Sequence, residues 1–84
     1  MTVTIEISFY PLNKEYPLSV VKFIEALKGM QEIELQTNGM STILIGEFER
    51  IWAHLGILIN DKFSQEDCVF VLKAAPGRRE YVES

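Results

Sequence analysis

Two runs of alternating residues meet at Asn38-Gly39, with Ile33 and Leu35 before the pair and Ile43 and Ile45 after it. Asn-Gly is a strong hairpin signal, because both central residues of a type I′ turn take positive φ. A two-residue loop sets the register. It places Thr37 opposite Met40, Gln36 opposite Ser41, Leu35 opposite Thr42, Glu34 opposite Ile43 and Ile33 opposite Leu44. One face then carries Ile33, Leu35 and Leu44, and the other Glu34, Gln36, Ser41, Ile43 and Ile45. Close to the turn the apolar residues give way to amides and hydroxyls. Such a row is either a solvated turn, the commoner outcome, or one wall of a small-ligand site.

The rest of the chain is organised around this hairpin. Val3 to Tyr10 alternate, with Val3, Ile5, Ile7 and Phe9 on one face and Thr4, Glu6, Ser8 and Tyr10 on the other. Pro11 ends that strand. Pro17 suits the first turn of a helix, where its missing N–H costs nothing. Val20, Phe23, Ile24 and Leu27 then recur at helical spacing up to Gly29. The second strand is expected from about Glu32 to Thr37 and the third from about Met40 to Gly46. A second helix spans about Glu47 to Lys62, with a stripe of Phe48, Ile51, Trp52, Leu55 and Ile59. Cys68 to Ala75 forms a fourth strand, broken by Pro76-Gly77. The expected division is a domain over residues 1–75 and a flexible charged tail over residues 76–84.

The order β-α-β-β-α-β is that of an α+β, ferredoxin-like fold, with a four-stranded antiparallel sheet and both helices on one face. The opposite face would carry Glu6, Ser8 and Tyr10, then Glu34, Gln36, Ser41, Ile43 and Ile45, then Val69, Val71 and Lys73. It is too apolar to be left to water and too polar for a second core. A homodimer through these open sheet faces, or a homotetramer built from it, is the expected partner arrangement.

At 84 residues the chain is near the size where one core is marginal and association helps. Its net charge is −4 and its basic residues are scattered, which argues against nucleic acid. No apolar run approaches the roughly 18 residues of a membrane span. No basic stretch followed by an apolar core opens the chain. The lone cysteine, Cys68, cannot form an internal disulfide, which fits a reducing compartment. A cytoplasmic protein is expected.

No catalytic set emerges. His54, the only histidine, lies off the apolar stripe of its helix, and no cysteine or histidine pair supports a metal. Cys68 is expected to be a small buried hydrophobe, and Glu32 and Glu34 a solvated edge. Glu6 and Lys73 are cross-strand neighbours, in an ion pair or with Glu6 facing a cationic ligand. Tyr10 and Met40 offer flat, polarizable contacts to a heteroaromatic ring. The expectation is a protein that is not an enzyme and has no cofactor.

The segment Thr37-Asn38-Gly39-Met40-Ser41-Thr42, followed by Gly46-Glu47-Phe48-Glu49, resembles the YkoF-related thiamine/hydroxymethylpyrimidine-binding family. The opening Ile7-Ser8-Phe9-Tyr10-Pro11-Leu12 is similar to that family's first strand. The resemblance runs from about Val3 to Ala75 and implies binding of thiamine or its pyrimidine precursor, in salvage or transport, without chemistry. It assigns Ser8 and Tyr10 to the first-strand part of a ligand site, and Thr37, Asn38, Met40, Ser41 and Thr42 to the hairpin part. Gln36, Asn38, Ser41 and Ser8 offer donors and acceptors for an aminopyrimidine, and Glu6 and Tyr10 suit a thiazolium cation. The alternative is a structural or regulatory domain that oligomerises through its sheet face.

Overall fold

A computed structural model describes residues 1–80. Its elements are β1 (Thr2–Pro11), α1 (Tyr16–Lys28), β2 (Glu34–Thr37), β3 (Thr42–Glu47), α2 (Phe48–Gln65) and β4 (Cys68–Pro76). All strand pairs are antiparallel, and the sheet order is β2-β3-β1-β4. The chain therefore has the ferredoxin-like α+β fold that the alternation implies.

The core lies between the sheet and the helices. Ile5, Leu27, Leu44, Ile51 and Leu55 are almost wholly buried, and each such side chain contributes about 1.5–3 kcal/mol by leaving water. At one end of this layer Phe9, Phe23 and Phe70 form a triangle with ring centroids 4.8–5.1 Å apart. Pro17 sits in the first turn of α1, as its sequence position implies. The stripe of α2 is buried at Ile51 and Leu55, but Phe48 and Trp52 stay partly exposed, edge to face at 6.1 Å.

The hairpin differs from its expected form. Thr37 pairs with Thr42, Gln36 with Ile43, Leu35 with Leu44 and Glu34 with Ile45. The loop has four residues, Asn38 to Ser41, closed by the Asn38 N–H donating to the Ser41 carbonyl at 3.1 Å. Gly39 does not take positive φ, so the turn is not type I′. The cause is the Asn38 side chain: Oδ1 accepts from the N–H of Met40 at 2.7 Å and of Ser41 at 3.0 Å. This is an Asx turn, which asparagine stabilises as readily as a left-handed backbone. The register slips by two residues, an even number, so each side chain keeps its expected face.

β2 is shorter than expected because Glu32 takes φ 63°, a left-handed turn just before the strand. Its carboxylate pairs with Arg50 at 3.2 Å. Ile45 belongs to the open face but is only 2% exposed. It stands between Thr4 and Glu34 in the sheet, and the segment after β4 reaches both. Gly77, at φ 76°, turns the chain back, its N–H donating to the Thr2 carbonyl. The Thr4 hydroxyl donates to the Gly77 carbonyl at 2.9 Å and accepts from the Arg79 N–H at 2.8 Å. Arg78 pairs with Glu34 on the far edge, and that contact raises its already high pKa. Residues 77–79 thus cross the sheet over Ile45. The expected flexible tail also includes residues 81–84, which lie outside the described residues.

Candidate functional site: a cavity between the first helix and the hairpin loop

β1 carries Phe9 and Tyr10 to the end of the sheet, and Pro11 stops the ladder there. Leu12 N–H still donates to the Asp67 carbonyl at 3.0 Å, which holds the departing loop. Asn13 Oδ1 accepts from the Glu15 N–H at 2.8 Å and directs the chain into α1. Tyr16 and Val20 of α1 then face the Asn38–Ser41 loop across a gap. This gap is a cavity of about 410 Å³, inside the range usual for small-molecule sites.

The floor is apolar: Ile7 and Phe9 from β1, with Val20, Phe23 and Ile24 from α1. The mouth is rimmed by Tyr10, Leu12, Tyr16 and Met40, which are 51%, 59%, 59% and 85% exposed. Large apolar side chains gathered in the open around a hollow form the kind of exposed apolar patch that binding grooves present. Beside the hydroxyls of Tyr10 and Tyr16, the polar side chains of the lining are Asn38, Ser41 and Thr42, all on the hairpin side.

Of the residues singled out in the sequence, Tyr10, Asn38, Met40, Ser41 and Thr42 come together here. Glu6, Ser8, Gln36 and Thr37 are outside the lining. The pleat explains the division. Glu6, Ser8 and Gln36 belong to the open face, while the cavity lies on the helix-covered side, with Ile7 and Phe9. Tyr10 and Ser41, of the open face too, reach its rim only because they stand at the strand end and in the loop. Thr37 shares that side but turns its hydroxyl to Thr42 Oγ1 at 3.1 Å. Ser8 is at the rim of the loop, its hydroxyl 3.5 Å from the Met40 carbonyl.

Glu6 is bound to the site indirectly. Its Oε2 accepts from the Ser41 hydroxyl at 3.1 Å, and its Oε1 faces Lys73 Nζ at 3.9 Å. The ion pair is open to water, since Lys73 is 81% exposed, so it adds little. Phe9 and Phe23, which the alternation and helical spacing mark as core, form the aromatic floor, and Tyr16 on the rim is not among the residues singled out in the sequence. Tyr16 beside Pro17 at a helix start was the available signal.

Other candidates resolve quietly. His54 is exposed, with Nδ1 donating to the Arg50 carbonyl at 2.8 Å. Cys68 is half-buried; burial first, then the charges of Glu66 and Asp67, push its thiol pKa up, while Lys62 lowers it. Such a thiol is a poor nucleophile at neutral pH. Among the described residues no cluster of three histidine, cysteine or acidic side chains is placed to hold a metal. Among them, too, no helix is long and apolar enough to cross a membrane.

Nothing among protein-family models or curated proteins matches the chain. Solved structures do. A candidate thiamine biosynthesis/salvage protein from Thermotoga maritima matches with a TM-score of 0.75 at 21% identity, over 88% of this chain and 82% of that one. A hypothetical protein from Methanocaldococcus jannascii matches with a TM-score of 0.76 at 25% identity, over 95% of this chain and 84% of that one. A domain of unknown function, DUF77, from Bacillus cereus matches with a TM-score of 0.76 at 18% identity, over 99% of this chain and 83% of that one. What the chain shares with these proteins is its fold.

Proposed function

We propose that this protein binds a small, flat, nitrogen-containing aromatic molecule in the cavity between α1 and the hairpin loop, and holds it without chemical change. Thiamine, or its hydroxymethylpyrimidine precursor, is the ligand this reading favours, in salvage or transport of the vitamin. The observation that carries it is the convergence of Tyr10, Tyr16 and Met40 with Asn38 and Ser41 around one hollow.

The chemistry is well matched. An aminopyrimidine has two faces for stacking and an edge of alternating donors and acceptors. Aromatic rings and a thioether supply the faces, each contact being worth about 0.5–1.5 kcal/mol. Asn38 and Ser41 supply the edge. A thiazolium cation at the mouth meets the π-face of Tyr10 or Tyr16. The description of the Thermotoga maritima protein as a candidate for thiamine biosynthesis or salvage supports the same ligand class.

Isothermal titration of the purified protein with hydroxymethylpyrimidine and with thiamine tests this. Saturable heat with a matching rise in melting temperature is expected. No heat and no thermal shift at millimolar ligand would overturn it.

A further inference from the structure

Among the described residues the buried polar or charged side chains are Thr4, Ser19, Thr42 and Lys62. Thr4 and Thr42 are hydrogen-bonded, to residues 77–79 and to Thr37. Ser19 and Lys62, each 8% exposed, are not satisfied in this way. The Ser19 hydroxyl has no hydrogen-bond partner among the described residues. Lys62 Nζ has Glu66 Oε2 at 3.5 Å, longer than the roughly 2.7–2.9 Å of a charge-assisted hydrogen bond. Its other neighbour is the Phe9 ring, 5.6 Å away. An ammonium carries three donors, so donor capacity is left over. Both residues line one cavity of about 280 Å³, between the start of α1 and the end of α2. No fully enclosed side-chain nitrogen or oxygen among the described residues lacks a partner, so these unfilled groups open into that cavity. It shares no lining residue with the cavity beside the hairpin loop.

We propose that this second cavity binds a small protonated oxyanion, inorganic phosphate, through Lys62 and Ser19. Buried donors without acceptors call for a ligand rich in lone pairs. The charge agrees: Lys14, Lys22 and Lys62 outweigh Glu15 and Glu66 in the lining, within a chain whose net charge is −4. The room exceeds several-fold the roughly 30 Å³ that one water takes, so a polyatomic ion fits. The carboxylates then choose among oxyanions. Glu66 Oε1 accepts from the Asn13 amide at 2.6 Å and Oε2 faces Lys62, which leaves lone pairs unused beside the ion. A phosphate P–OH donates to such a carboxylate. Sulfate at neutral pH has no proton to give and meets only like charge there. A phosphate monoester, with a second pKa of about 6, is also mostly unprotonated at neutral pH. Free phosphate is therefore the source that fits.

Titration calorimetry of the purified protein at neutral pH with sodium phosphate, sodium sulfate and methyl phosphate tests the proposal. Saturable binding of phosphate at millimolar concentration or below is expected. Sulfate and methyl phosphate should bind at least about tenfold more weakly, since each leaves the carboxylate without a donor. No saturable binding of phosphate overturns the proposal, and so does sulfate or methyl phosphate binding as tightly as phosphate. Ser19→Ala removes the hydroxyl while keeping a strong helix former, and should weaken phosphate binding several-fold. Lys62→Met keeps an apolar stem without the charge and should abolish binding. If Lys62→Met fails to fold, Ser19→Ala with an unchanged melting temperature still decides. Lys28→Gln, an exposed change outside the lining, should bind phosphate as the parent does. Unchanged affinity in Ser19→Ala, or a loss in Lys28→Gln equal to that in Ser19→Ala, would also overturn it.

Discussion

The Ser41 hydroxyl donates to Glu6 Oε2 at 3.1 Å, tying the loop between β2 and β3 to the interior strand β1. This bond turns the Ser41 hydroxyl toward the open face and anchors the loop whose residues Asn38 to Ser41 line the cavity. Glu6→Ala should weaken ligand binding several-fold, the loss of about 1 kcal/mol of hydrogen-bond ordering. Glu6→Gln keeps an acceptor and should bind nearly as the parent does. Titration calorimetry of both variants decides it. Equal binding by Glu6→Ala would show that Ser41 needs no positioning.

Asn38 organises the same loop through two backbone N–H groups. Asn38→Ala should lower stability by about 1 kcal/mol, because water replaces the lost acceptor at an exposed site. It should lower ligand affinity more, since the loop then samples other turns. Asn38→Asp preserves the Asx turn and should retain stability in urea unfolding. A destabilised Asp variant with an intact Ala variant would contradict this account.

Thr4 both donates to Gly77 and accepts from Arg79. Thr4→Val keeps the volume and β-branch but removes both bonds, so a loss of about 1–2 kcal/mol is expected. Gly77 sits at φ 76°, where a side chain is strained, and Gly77→Ala should cost about 1 kcal/mol. Either change should make the crossing segment more open to proteolysis after Arg78 or Arg79, read by limited trypsin digestion. Unchanged cleavage would show that these bonds do not hold the segment.

Burial and neighbouring carboxylates raise the Cys68 pKa above its ordinary 9.0. The folded state therefore favours the neutral thiol. Its contribution to stability is full below the unfolded thiol's range and is lost as pH rises through the folded value. Unfolding free energy should fall above about pH 9, and Cys68→Ser should remove that part of the slope. Alkylation of the native protein at neutral pH should be slow beside that of the urea-unfolded chain. Equal rates would mean the thiol is not protected.

The alternation of Val3 to Tyr10, the helical spacing of Val20, Phe23 and Leu27, and the stripe through Ile51 and Leu55 determined element order and which faces meet. These signals are local: period two and period 3.6 decide which side of an element is apolar, and burial of that side follows. Of the hairpin residues, Asn38, Met40, Ser41 and Thr42 line the cavity beside α1. Only the tertiary structure decided the rest. Asn38 chose between two turns that its residue type permits equally, and its side-chain bonds to Met40 and Ser41 selected the four-residue loop. The cavity's side of the sheet depended on how far α1 stands from that loop, which no periodicity encodes. Burial of Ile45 depended on residues 77–79 crossing to Glu34, a contact between positions 44 residues apart. Such distances are set by packing of the whole chain, so the pattern of neighbouring residues carries no record of them.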